Sequence, residues 1–275
     1  MKKTMTKPGS VTISEAPRSY RFIDLLRATA AYWVLVAHCF IWGGWNPPEP
    51  FAAPNAKIAV DLFMMISGYL MAANADARSR VEPLEASWSW TRFWLRRFFR
   101  LAPAYYLSLA LAVVSSTYFL AGLHHLQQLN PSYWPPGGVY DPGTTVYDGL
   151  NILLHVTFAF GLSPTYSFST FLPDWSLSLE MQFYLVFPFL YLLLRRAGFI
   201  RTGVAIGVAC FVAGLAVQKE FRFDEPSLLI FKLNYFIAGI LVHRFLADTK
   251  PVREKVLLVL AAVALVSMEA RYGAA

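Results

Sequence analysis

The sequence predicts an all-α polytopic membrane protein with about seven transmembrane helices, a cytoplasmic amphipathic helix and a candidate re-entrant segment. Three observations predict it. Of 275 residues, 56% are hydrophobic and only 15% charged, a balance typical of membrane proteins rather than soluble domains. The apolar residues gather into separate stretches, most of them of membrane-crossing length. The Lys and Arg residues collect on the connections of one side, as orientation rules require.

Residues 1–19 are polar and basic and read as a disordered cytoplasmic tail; residues 20–275 read as one membrane domain. The first apolar stretch, 22–42, is long and lacks a small-residue cleavage site, so it reads as a retained helix rather than a signal peptide. Stretches at 57–74, 103–122, 176–194, 202–217, 228–247 and 256–270 complete the set, the last one short. Residues 151–162 are too few to span and suit a re-entrant or interfacial piece. Before the third stretch, Arg92, Arg96, Arg97 and Arg100 cover about 140° of a helical wheel. Trp94, Leu95, Phe98, Phe99 and Leu101 fill the opposite side while Phe93 falls on the basic side, which makes a basic amphipathic helix for the cytoplasmic interface. Pro103 suits the first turn of the helix that follows.

The net charge of +7 follows this topology and does not point to nucleic acid. Basic residues lie in the tail, around 78–100, at 195–201 and at 244–255, whereas residues 124–174 contain no Lys or Arg; Lys219 and Arg222 break the pattern and are offset by Glu220, Asp224 and Glu225. The N-terminus is therefore expected in the cytoplasm, with the long Pro-, Gly- and Tyr-rich loop outside. Cys39 and Cys210 both lie in apolar stretches, so no disulfide framework is implied. No Cys/His cluster with metal-ligand spacing occurs, and no metal is expected.

Ionisable residues inside membrane segments mark candidate functional sites. Arg27 and His38 share the first segment, within roughly 20° of one another and about 16 Å apart along the axis. Depth counting puts His38 about one turn below the outer end, level with Asp61 in the second segment and Glu180 in the fourth. A carboxylate can fix a histidine tautomer and stabilise the imidazolium, and together they remove a proton from a hydroxyl. Asp61 and Glu180 also stand near helix N-termini, where the dipole alone favours an anion. Arg96, Arg97 and Arg100 have the fork geometry that suits phosphate, and the same residues would serve as headgroup anchors. Asp24 and Arg27 are spaced for an ion pair. Ser67-Gly68 suits close helix packing.

Four stretches in order resemble the acyltransferase-3 family of integral membrane acyltransferases. Phe22-Ile-Asp-Leu-Leu-Arg27 with His38 is similar to the family's opening motif of an arginine, ten residues and a histidine. Val60-Asp-Leu-Phe-Met-Met-Ile-Ser-Gly68-Tyr resembles its second motif, with Met64 in place of an aromatic residue. Phe93-Trp-Leu-Arg-Arg97-Phe-Phe-Arg100-Leu-Ala-Pro103 resembles its Arg-x-x-Arg segment, and Trp175-Ser-Leu-Ser-Leu-Glu180-Met-Gln-Phe-Tyr184 with Pro188 its fourth.

The resemblance implies transfer of an acyl group, usually acetyl, from acyl-CoA to a hydroxyl of a cell-surface polysaccharide or other glycan, in a bacterial cytoplasmic membrane. It places the catalytic histidine on His38, the Arg-x-x-Arg pair on Arg97 and Arg100, and the helix-one arginine on Arg27. Acetyl-CoA or another acyl-CoA, a hydroxyl acceptor and the lipid bilayer are the partners expected. Arg97 and Arg100, with Arg96 and Arg27, are expected to hold donor phosphates, Ser67 to lie beside the donor path, and His38 with Asp61 or Glu180 to activate the acceptor. Direct attack and an acyl-histidine intermediate both fit these residues. Family domains carry more helices than the seven read here, which predicts either a shortened member or a sequence lacking its last helices. A transporter or flippase would also put charge in the membrane, but the inverted repeat that marks such folds is not found in the sequence. A non-catalytic partner in polysaccharide assembly would need neither the His38 motif nor the Arg97–Arg100 motif.

Overall fold

A computed structural model describes residues 21–45, 53–135, 147–247 and 251–270. The tail read at 1–19 and the middle of the expected outer loop lie outside these residues. The described residues form eight α-helices and no strand: α1 Arg21–Trp42, α2 Ala53–Arg78, α3 Ser87–Leu129, α4 Gly149–Val156, α5 Trp175–Ala197, α6 Phe199–Phe221, α7 Leu233–Ala247 and α8 Val252–Ala270. Five of them, α1, α2, α3, α5 and α6, are long and apolar enough to cross a membrane. All seven expected segments are helical, but α7 has 15 residues, about 22 Å, short of a roughly 30 Å hydrocarbon core. The chain is an all-helical polytopic membrane protein.

The core is built on α5. Trp175, Leu179, Phe183, Phe187, Leu190 and Leu194 recur at helical spacing and are all buried. Phe183 stacks on Phe236 of α7 with centroids 3.9 Å apart, and Phe187 stacks on Phe93 of α3 at 5.5 Å. Aromatic rings at these separations fix the rotation of three helices about their axes as well as burying area. On the opposite side of the core, α2 meets α7 backbone to backbone. A Cβ on Gly68 would overlap the Phe236 carbonyl, and one on Gly239 would overlap the Met65 carbonyl. In lipid, where apolar burial between helices contributes little, such small-residue contacts are what let helices associate tightly. At one end Asp76 ties three helices: it accepts from Tyr191 at 2.6 Å and faces His243 at 3.1 Å and Arg244 at 3.5 Å.

One expectation is revised. The arginine-rich segment is not a separate interfacial helix. It is the first third of α3, a continuous helix of 43 residues that runs through Pro103. Pro103 is exposed while Ala102 and Tyr105 beside it are buried, so the ring meets no neighbouring helix. The helix-forming residues on both sides carry it across the one amide hydrogen that proline lacks. The segment expected to be re-entrant or interfacial is α4 followed by a 3-10 turn, Phe160–Leu162. It packs on α3: Tyr105 lies 4.9 Å from Phe158, and the Tyr106 hydroxyl donates to the Val156 carbonyl at 2.6 Å.

Candidate active site

His38 and Glu180 line one cavity of about 250 Å³ between α1, α2 and the N-terminal half of α5. Val34, Val60, Met64 and Trp175 supply its apolar wall, and Ser67 lies beside Glu180. The His38 ring sits against its own helix, with Nδ1 2.8 Å from the Val34 carbonyl four residues back. A carbonyl oxygen can only accept, so Nδ1 carries the hydrogen in the neutral ring and the lone pair is on Nε2. The local helix thereby leaves Nε2 as the acceptor nitrogen of the neutral ring.

Glu180 is held from two sides. The Ser67 hydroxyl donates to Oε1 at 3.0 Å from α2, and the Tyr184 hydroxyl donates to the same oxygen from the next turn of α5. Tyr184 in turn lies under the Arg97 guanidinium, 5.6 Å from its centroid, and Phe93 offers Arg97 a second ring at 5.7 Å. Trp94 locks this corner by donating Nε1 to the Tyr184 carbonyl at 3.0 Å. Arg97 therefore stands within the helix bundle, connected through Tyr184 to the acid of the cavity.

A second, smaller cavity of about 30 Å³ lies at the arginine-bearing end. It is lined by Asn74 and Arg78 of α2, Ser89, Arg96 and Arg97 of α3, and Glu82 between those helices. Glu82 forms a forked pair with Arg96, with Nη1 to Oε1 at 2.8 Å, and lies 3.7 Å from Arg78. The Arg96 hydrogen bonds hold its carboxyl below the ordinary carboxylate range. Both cavities open on the same face of α2, where Val60, Met64, Ser67, Asn74 and Arg78 recur at helical spacing. The distance along that face is roughly 27 Å.

The structure brings together His38, Ser67 and Glu180, and it connects Glu180 to Arg97. Asp61 does not line the cavity. Its carboxylate is bonded to Lys232 Nζ at 2.7 Å, with both side chains largely buried. Depth equality with His38 said nothing of the direction of Asp61 around α2. Arg96 is already paired with Glu82, and Arg100 is exposed and lines a different cavity with Asp174. Arg27 is half-buried on α1, and Asp24 and Arg27 form no ion pair with each other. Ser67 touches Glu180, while Gly68 is the position that permits helix contact. Sequence reasoning missed Arg78, Ser89, Tyr184 and Glu82. Arg78 read only as an orientation charge, and Tyr184 only as part of a motif. His155, without a role in the sequence, is buried against Asp174 with Nε2 3.7 Å from its carboxylate. Burial lowers the imidazole's pKa and raises that of the Asp174 carboxyl to about 7. Among the described residues no group of His, Cys, Asp and Glu is placed to hold a metal ion.

A model of the family described as Acyltransferase domain matches residues 20–273. The chain is 30% identical over 159 residues to Acyltransferase MdmB of Streptomyces mycarofaciens, covering 56% of this chain and 34% of that one. It is 32% identical over 170 residues to Peptidoglycan O-acetyltransferase OatA of Listeria monocytogenes, covering 60% and 23%. It is 30% identical over 184 residues to the putative membrane-bound transacylase BcsY of Komagataeibacter xylinus, covering 63% and 38%. The matched stretches span about a quarter to two fifths of the length of these relatives. No solved structure matches. With the family model matching all but the two ends of the sequence, the chain belongs to the acyltransferase-3 family of integral membrane acyltransferases.

Proposed function

We propose that the protein transfers an acyl group, acetyl in the simplest case, from acyl-CoA to a hydroxyl of a cell-surface polysaccharide or other glycan. The observation that carries this reading is the shared cavity of His38 and Glu180, with Nε2 as the acceptor nitrogen of the neutral His38 ring. The names of two relatives, a peptidoglycan O-acetyltransferase and a membrane-bound transacylase, favour an oxygen acceptor in the cell envelope.

The donor's phosphates are held at the small cavity by Arg97, Arg78 and Arg96, with Arg27 and Arg100 contributing positive potential nearby. Its pantetheine arm follows the α2 face past Ser67 and brings the thioester to the larger cavity. An acceptor hydroxyl gives its proton to His38 Nε2 as its oxygen attacks the thioester carbonyl. The carbon–sulfur bond then breaks, and the leaving thiolate takes the proton back from the imidazolium. Glu180 stabilises that imidazolium across the cavity. Asp61, neutralised by Lys232, supports the bundle instead. The N-terminus faces the cytoplasm of a bacterial inner membrane in this reading, with the arginines on the donor side.

The test is acyl transfer by His38→Ala in purified protein. A general base contributes about 10² to 10⁴ in rate, so a loss of that order is expected with insertion and donor binding retained. Transfer at the wild-type rate would remove the base assignment.

A further inference from the structure

Beyond the main cavity lies a second space of about 110 Å³ that shares His38, Val34, Val60, Pro173 and Trp175 with it. The two cavities adjoin, and His38 belongs to the wall of both. The outer part is walled by Trp42 of α1, Phe168 and Phe171 of the segment before α5, and the ion pair Lys57–Glu225 at 3.1 Å. The rings are held by other rings. Phe171 stacks on Phe119 of α3 with centroids 4.8 Å apart, and Trp42 meets the edge of the same Phe119 at 5.7 Å while stacking on Trp134 at 5.5 Å. An interfacial anchor would present its ring to lipid. Trp42 and Phe171 instead line a cavity.

We infer that this vestibule is the acceptor subsite and that it takes an uncharged pyranose ring. This rests on the acyl-transfer reading of the same site. A pyranose has a face of C–H groups and a rim of hydroxyls. Preorganised aromatic faces match the first. An ammonium with three donors beside a carboxylate with only acceptors matches the second. Lys57 and Glu225 cancel each other's charge, so a carboxylated sugar would lose its hydration there and find no free counter-ion in return. The position of His38 between the two spaces puts a bound ring's hydroxyl next to the base and leaves the larger cavity for the thioester.

The test uses the full chain reconstituted in lipid nanodiscs with acetyl-CoA. CoA release is followed with methyl β-D-glucopyranoside or methyl N-acetyl-β-D-glucosaminide, and with methyl β-D-glucuronide as the anionic probe. Equilibrium binding of labelled acetyl-CoA is measured in parallel. We expect saturable stimulation by a neutral glycoside and at least tenfold weaker stimulation by the glucuronide. Glu225→Gln and, separately, Phe171→Leu should raise the half-saturating glycoside concentration about tenfold, the scale of one lost charge-assisted hydrogen bond or ring contact, with acetyl-CoA affinity unchanged. The retained acetyl-CoA affinity reports an intact fold in each variant. The subsite is overturned if acetyl-CoA binds but neither neutral glycoside speeds CoA release, if the glucuronide does as well, or if both variants respond like wild type. Failure of the wild type to bind acetyl-CoA would overturn the acyl-transfer reading and this subsite with it.

Discussion

The two faces of α2 carry similar residues to opposite ends. Toward α7, Gly68 and Gly239 bring two backbones into contact, and Asp61 is neutralised by Lys232. Toward α1 and α5, Ser67 is one residue from Gly68, yet it lines a cavity with His38 and Glu180. Both faces hold polar groups inside a membrane protein. On the first, the ion pair neutralises its charges and the backbones leave no room for a ligand. On the second, the histidine keeps a lone pair and the acid is braced only by neutral hydroxyls. Space and an uncompensated lone pair, rather than polarity, separate a site from a structural contact.

The comparison breaks if either face behaves like the other. The largest effect is expected at Lys232→Met, which leaves the buried Asp61 carboxylate without its ion-pair partner, held only by the Tyr235 hydroxyl. A loss of about 3–5 kcal/mol is expected in thermal or denaturant unfolding, and Asp61→Asn in the same chain should recover most of it. Activity lost with stability intact would move Asp61 to the catalytic side. Next, Gly239→Ala forces α2 and α7 apart at a backbone contact and should destabilise by about 1–3 kcal/mol, read from the melting temperature. A neutral result would mean the helices slide freely.

On the other face, Glu180→Gln keeps the hydroxyl bonds from Ser67 and Tyr184 and removes only the charge. We expect kcat to fall at least tenfold, with melting temperature and donor affinity near wild type, because an imidazolium within the cavity loses its counter-charge. An unchanged kcat would reduce Glu180 to a brace. The smallest effect is at Glu82→Gln. Its carboxylate occupies the guanidinium of Arg96, so releasing it should tighten acetyl-CoA binding by a few-fold, measured at equilibrium. The depressed carboxyl pKa means the pair is formed above the unfolded-state value and lost only as pH falls through the folded one. The gain should therefore be the same across neutral pH. Weaker binding would show that Glu82 positions Arg96 for the donor instead of competing with it.

Much of the fold was legible because local rules suffice for it. Apolar length gave each helix, and motif order gave the family. Pro103 misled because proline's cost is local, and an exposed proline flanked by strong helix formers is tolerated in a long helix. The stretch read at 228–247 divides into the 3-10 turn Leu229–Phe231 and the shorter α7, in which Leu233–Leu241 are buried without exception. The tail at 1–19 and part of the loop before α4 fall outside the described residues.

The sequence alone determined that charged and titratable residues sit at particular depths, since residue count converts directly to rise along a helix. It therefore brought His38, Asp61 and Glu180 to one level. Only the tertiary structure decided which of them share a cavity, because the rotation of a helix about its axis is set by packing against its neighbours. The backbone contacts Gly68–Phe236 and Gly239–Met65 turn Asp61 toward α7 and Lys232. The Phe183–Phe236 and Phe187–Phe93 stacks turn Glu180 toward Ser67. Depth is a property of one helix, and direction is a property of several.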